Sequence, residues 1–199
     1  MKSLLALSTF LLLGAAAAQE VQSKPFHLVI TAAAKKTYNG QELAACHTGA
    51  AIESLCLAGT AGSEFYLNTT KGEEPAIKGE GLSGTLIWNL PYNGDEYESE
   101  PMSFYSDPST NVAMLLFEPG YTQQEVFFDK TSQMAIYSYY NDAVTPPTDD
   151  EAKILKNWYL CETNFSGYTY TTLNWVLGNG KAKPQNPSCV KVQVQRKFV

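Results

Sequence analysis

The segment Glu64-Phe65-Tyr66-Leu67-Asn68-Thr69-Thr70 is matched position by position by Glu125-Val126-Phe127-Phe128-Asp129-Lys130-Thr131. Each copy runs from an acid through bulky apolar residues to a short polar side chain, the pattern of a strand entering a turn. An apolar strand follows each: Thr85-Leu86-Ile87-Trp88 after an insertion, and Met134-Ala135-Ile136-Tyr137 directly. The run Cys189–Gln195 lies a comparable distance further on. This spacing predicts three modules of roughly 60 residues.

Outward from these copies, short apolar runs alternate with Gly, Pro, Asn and Asp along most of the chain. The runs are Phe26–Ile30, Glu42–Cys46, Glu53–Leu57, Glu64–Asn68, Gly84–Asn89, Pro101–Ser106, Val112–Glu118, Glu125–Asp129, Met134–Tyr139, Trp158–Glu162, Tyr168–Val176 and Cys189–Gln195. About twelve short strands in three modules predict an all-β, β-trefoil-like barrel, in which six strands close a ring and three hairpins cap it. A two-sheet β-sandwich is the alternative. One short helix is predicted over Thr148–Leu155, where Thr148 can cap and Asp149, Asp150 and Glu151 meet the positive end of the dipole. The turn-rich stretches Lys71–Gly84, Pro91–Pro101 and Ala143–Asp150 read as surface loops.

The chain has 199 residues, 44% hydrophobic, 12% aromatic and 17% charged, which excludes a disordered chain and suits one folded domain. Lys2 followed by the apolar run Leu4–Ala18, with Ala16 and Ala18 before Gln19, reads as a secretory signal peptide over residues 1–18. A single all-β domain then occupies 19–199. The run is too short for a membrane span, so none is expected. The expected location is extracellular or cell wall.

In that setting the four cysteines, Cys46, Cys56, Cys161 and Cys189, read as two disulfides. Three pairings exist formally. Loop closure and the strand reading favour Cys46 with Cys56 and Cys161 with Cys189. A metal site is not expected, because there is no C-x-x-C and His47 is the only imidazole near a cysteine. Asn68-Thr69-Thr70 and Asn164-Phe165-Ser166 are glycosylation acceptors at Asn68 and Asn164, whereas Pro187 excludes Asn186.

A net charge of −6 argues against nucleic acid as a partner. After Glu162 the chain has no acid and five basic residues, Lys181, Lys183, Lys191, Arg196 and Lys197. These read as solvated surface, with a basic patch for an acidic glycan or lipid headgroup as the sharper alternative.

No catalytic residue is assigned and no cofactor is expected. Gly81-Leu82-Ser83-Gly84 lacks the spacing of a nucleophile elbow. His27 alternates with Phe26 and Leu28 and so faces outward, and Cys46 and His47 point to opposite faces of a strand. Paired carboxylates are the remaining route to hydrolysis. Glu96, Glu98 and Glu100 read as a solvated acidic loop, while Glu42, Glu53, Glu64 and Glu125 precede or enter strands without showing which of them converge.

Trp88, Trp158 and Trp175 sit among aliphatics and read as core. The tyrosines, among them Tyr92, Tyr97 and Tyr121 in loops, are candidate binding anchors. The Gln-x-Trp signature of sugar-binding trefoils is absent.

The runs Phe26-His27-Leu28-Val29-Ile30, Ala45-Cys46-His47-Thr48-Gly49, Trp158-Tyr159-Leu160-Cys161-Glu162-Thr163 and Pro184-Gln185-Asn186-Pro187-Ser188-Cys189 resemble the small secreted cysteine-containing proteins of filamentous ascomycete fungi. The resemblance implies secretion, two disulfides and a fungal extracellular setting, and it transfers no catalytic residue. The functional expectation is a secreted, monomeric, non-catalytic protein that binds a glycan or an extracellular protein. The alternative is a carbohydrate-active hydrolase using a carboxylate pair.

Overall fold

The computed structural model describes residues 19–120 and 122–199. The expected leader, residues 1–18, and Tyr121 lie outside the described residues. Fifteen strands are present: β1 (Glu20–Gln22), β2 (Phe26–Thr31), β3 (Glu42–Gly49), β4 (Ile52–Gly59), β5 (Tyr66–Thr70), β6 (Gly84–Asn93), β7 (Glu96–Tyr105), β8 (Val112–Phe117), β9 (Glu125–Phe128), β10 (Met134–Asn141), β11 (Thr148–Leu155), β12 (Trp158–Phe165), β13 (Tyr168–Val176), β14 (Val190–Lys191) and β15 (Gln193–Phe198). The only helical element among the described residues is a 3-10 turn at Lys36–Tyr38. The molecule is all-β.

All fifteen strands join in one antiparallel network. One set runs β1–β5–β6–β9–β10, and β15 pairs with β2 along its whole length. These ladders leave the network open between β2 and β5 and between β10 and β15, where single bridges, Phe26 with Phe65 and Gln133 with Gln195, make the only pairings. Three hairpins, β3–β4, β7–β8 and β12–β13, meet through β4–β8, β4–β13 and β8–β13. The two matched segments end up on β5 and β9. Each pairs with the strand that follows it, β5 with β6 and β9 with β10.

Period-two alternation explains the burial. In β2, Phe26, Leu28 and Ile30 are fully buried while His27, Val29 and Thr31 are half-buried. The same inward positions on other strands supply Leu43, Leu55, Leu86, Leu115 and Phe117. Trp158 and Trp175 meet edge to face at 4.6 Å, and the Trp158 Nε1–H donates to the Met134 carbonyl at 2.7 Å, so the indole is buried without an orphan donor. Each such side chain contributes roughly 1.5–3 kcal/mol on burial. Trp158 and Trp175 are core, as the sequence predicts, and Trp88 packs half-buried at its edge.

Both expected disulfides are present, Cys46–Cys56 across the β3–β4 hairpin and Cys161–Cys189 between β12 and the segment leading into β14. Two sequence expectations are corrected. Thr148–Leu155 is a strand, β11, not a helix: it pairs with β10, and Asp150, Ala152 and Ile154 alternate toward the protein. An isolated eight-residue helix is too short to sustain its nucleation cost, whereas β10 offers a ready ladder. The stretch Pro91–Pro101 is likewise not a loop but the paired ends of β6 and β7 around Gly94.

Candidate functional site

The two imidazoles stand on different strands, His27 on β2 and His47 on β3. His27 is half-buried, with its Nδ1 3.5 Å from the Glu42 carboxylate. His47 is exposed, its ring edge-on to Tyr168 at 5.3 Å. Cys46 is tied to Cys56, so the Cys46–His47 neighbourhood holds no thiol. The acceptor Asn164 is exposed near the β12–β13 turn. Asn68 is half-buried in β5, where its Nδ2 donates to Glu20 and its Oδ1 accepts from Gln22.

Two carboxyl groups do converge. Glu53 at the start of β4 and Glu100 within β7 are 3% and 0% exposed, which overturns the reading of Glu100 as part of a solvated loop. The register explains it: Glu100 stands two residues before Met102, on the same side of β7, and Met102 pairs with Phe117, as does Glu53. Among the described residues no donor reaches either Glu100 oxygen or Glu53 Oε2. Burial first, then the facing Glu53 carboxyl and the charges of Glu98 and Glu118, push the Glu100 carboxyl up to about 9. Glu100 therefore keeps its proton at neutral pH. A protonated carboxyl beside a second one is a general-acid arrangement, but neither residue lines the groove beside Tyr105 or the cavity beside Arg196.

A surface groove of about 200 Å³ has the better binding geometry. It is lined by Tyr105 of β7 and Asp107 just after it, by Val112 and Met114 of β8, and by Glu162 and Asn164 of β12 with Asn186 of the C-terminal loop. The exposed Tyr105 ring is held by edge contact with Phe165 at 5.2 Å. Asp107 accepts from the backbone and hydroxyl of Ser109, and these bonds hold its carboxyl below the usual range. Asn186 donates from Nδ2 to the Glu162 carbonyl, and Ser188 Oγ accepts from Glu162 N–H, which fastens the C-terminal loop to β12. The Cys161–Cys189 bridge joins the residues next to Glu162 and Ser188, which ties this part of the lining together and preorganises it.

Apart from the expected glycosylation acceptor Asn164, the sequence marks no residue of this groove. Its residues come from β7, β8, β12 and a C-terminal loop, and only the packing of two hairpins brings them together. Of the tyrosines it named as anchors, Tyr92 and Tyr97 are exposed at the β6–β7 tip, away from this groove. Of the basic residues after Glu162, Lys191 lies over the Tyr159 ring and Arg196 among phenylalanines.

Among the described residues no helix is long and apolar enough to cross a membrane, and no cluster of His, Cys, Asp and Glu has the form of a metal site. No curated protein and no solved structure matches the chain. A family model does, from residue 23 to residue 198, over the strands that build both the carboxyl pair and the groove: the chain belongs to the DUF7907 family, a domain of unknown function.

Proposed function

We propose that this is a secreted, non-catalytic protein of the extracellular space or cell wall that binds a glycan in the groove between Tyr105 and Glu162. The observation that carries the reading is the lining itself: an exposed aromatic ring, two carboxylates, two amides and the apolar side chains of Val112 and Met114. A sugar ring offers an apolar face for stacking and hydroxyls for planar acceptors and donors, and a concave site with few fixed polar groups suits it. Two disulfides support an oxidising compartment, and the sequence resemblance supports a fungal one. For the scaffold we infer a β-trefoil-like arrangement, supported by the two single bridges that link β2 to β5 and β10 to β15 and by three hairpins meeting pairwise. A two-sheet sandwich is compatible with the same ladders.

Asn164 lines the groove, and a glycan attached there occupies the site. The test is therefore a glycan-array screen of protein made with and without Asn-linked glycosylation, followed by titration of the hits. Tyr105→Ala and Glu162→Gln should each weaken binding by about tenfold. Unchanged affinity in both variants rejects the groove.

The hydrolase reading has one observation in its favour, the protonated Glu100 beside Glu53. Polysaccharide cleavage by the purified protein that disappears in Glu100→Gln establishes it, and cleavage that persists in that variant removes the pair from consideration.

A further inference from the structure

On β15, Val194, Arg196 and Phe198 occupy alternate positions opposite Ile30, Leu28 and Phe26 of β2, all three of which are fully buried. Arg196 thus shares a strand face with the buried Val194 and the exposed Phe198, and is itself half-buried where that face reaches the surface. Its guanidinium lies 4.4 Å from the Phe128 ring centre, 4.6 Å from Phe198 and 5.5 Å from Phe26. Among the described residues no carboxylate pairs with it, no side-chain hydrogen bond leaves it, and its Nε–H is buried without a partner.

Three lysines are accommodated differently. Lys130, Lys153 and Lys156 pair with Glu80, Asp150 and Asp129. A guanidinium cannot shed its proton to escape burial, and phenylalanine faces return only part of the lost hydration.

Among the described residues, Arg196 also supplies the only formal charge on the wall of a cavity of about 220 Å³. The rest of the wall is Val21, Leu67, Leu82 and Phe128 with Gly81 and the hydroxyls of Ser23 and Thr69. Ser23 Oγ already donates to the Lys24 carbonyl and accepts from Leu67 N–H, and Thr69 Oγ1 donates to Val21. Gly81 is pressed against β9 so closely that a Cβ there would lie 2.2 Å from the Phe128 carbonyl oxygen. That contact fixes the far wall.

We propose that this cavity is a binding site for a small carboxylate with an apolar body, the carboxylate pairing with Arg196 and the body lying against Leu67, Leu82 and Phe128. A single fork-shaped cation matches a planar carboxylate bidentately. The apolar walls and the lack of a second cation disfavour phosphate.

The test is titration calorimetry on the purified protein with octanoate, octan-1-ol, inorganic phosphate, and acetyl-Leu-Leu as free acid and as amide. Octanoate or the peptide acid should bind at least about tenfold more tightly than its uncharged counterpart. Binding of octanoate alone assigns the site to a free organic acid, and binding of the peptide acid alone to a peptide C-terminus. Arg196→Met should lose the preference for the acid. Leu82→Trp, which fills the cavity and keeps the charge, should lose binding altogether and keeps the test decisive if Arg196→Met does not fold. Equal affinity for octanoate and octan-1-ol, displacement by phosphate at equal concentration, or no carboxylate binding at millimolar concentration overturns the proposal.

Discussion

Asp129, in the turn between β9 and β10, and Glu100, within β7, are carboxyl groups withdrawn from water, yet their acidities fall on opposite sides of neutral. Burial acts on both in the same direction. At Asp129 it is outweighed by donors: Lys156 Nζ at 2.5 Å, Thr131 Oγ1, and the backbone N–H groups of Thr131 and Gln133. Together they hold Asp129 at about 2. At Glu100 there are no donors and the neighbours are further acids, so the group stays neutral. A tight turn exposes its own N–H groups to the side chain that opens it, whereas mid-strand N–H groups are spent on the ladder. Half-buried Arg196 has no carboxylate partner among the described residues and no neutral form to fall back on, and unlike Glu100 it lines a cavity, which is why it marks a place for a ligand.

The largest expected effect comes from taking the donors' acceptor away. Asp129→Ala takes the carboxylate from Lys156, which keeps only Gln133 Oε1, leaves the Thr131 and Gln133 N–H groups without their acceptor, and should cost about 2–4 kcal/mol in denaturant unfolding at pH 7. A loss below about 1 kcal/mol would mean that water replaces the carboxylate. Next is Glu100→Gln, which removes the proton requirement while keeping the shape. It should raise stability by about 1–3 kcal/mol at pH 8 and change little at pH 4.5. Glu53→Gln should give a smaller gain of the same sign, since it relieves repulsion but leaves Glu100 buried. Smallest is Asp107→Asn: its carboxyl is also held low by Ser109, but it lies in water, and no change in the unfolding midpoint is expected.

Much of the fold is legible in the chain because its strands are half-buried and period two survives in them, as in Phe26–Ile30. The disulfide pairing is legible for the same reason, each pair bracketing a local excursion. Thr148–Leu155 misleads because its three acids suit a helix start, and only the neighbouring β10 decides otherwise. Glu100 misleads because Glu96, Glu98 and Glu100 alternate evenly. Extending that alternation to Met102 is the one signal that places Glu100 inward. The groove and the Arg196 cavity are not legible: Tyr105 and Glu162, or Ser23, Gly81 and Arg196, are joined by long-range pairing that no local pattern encodes.

Unfolding free energy measured from pH 2 to pH 9.5 for the parent, Glu100→Gln and Asp129→Ala tests the contrast most directly. Asp129, lowered from 3.8 to about 2, contributes stability above pH 3.8 that is lost as pH falls toward 2. Glu100, raised from 4.5 to about 9, holds in the native state a proton the unfolded chain has released, so stability present below pH 4.5 is lost as pH rises toward 9, by at most about 1.4 kcal/mol per pH unit. The parent should therefore be most stable near pH 4 to 5. Glu100→Gln should flatten the alkaline limb alone and Asp129→Ala the acid limb alone. A parent curve level from pH 5 to pH 9, or an alkaline limb that survives in Glu100→Gln, would contradict the account.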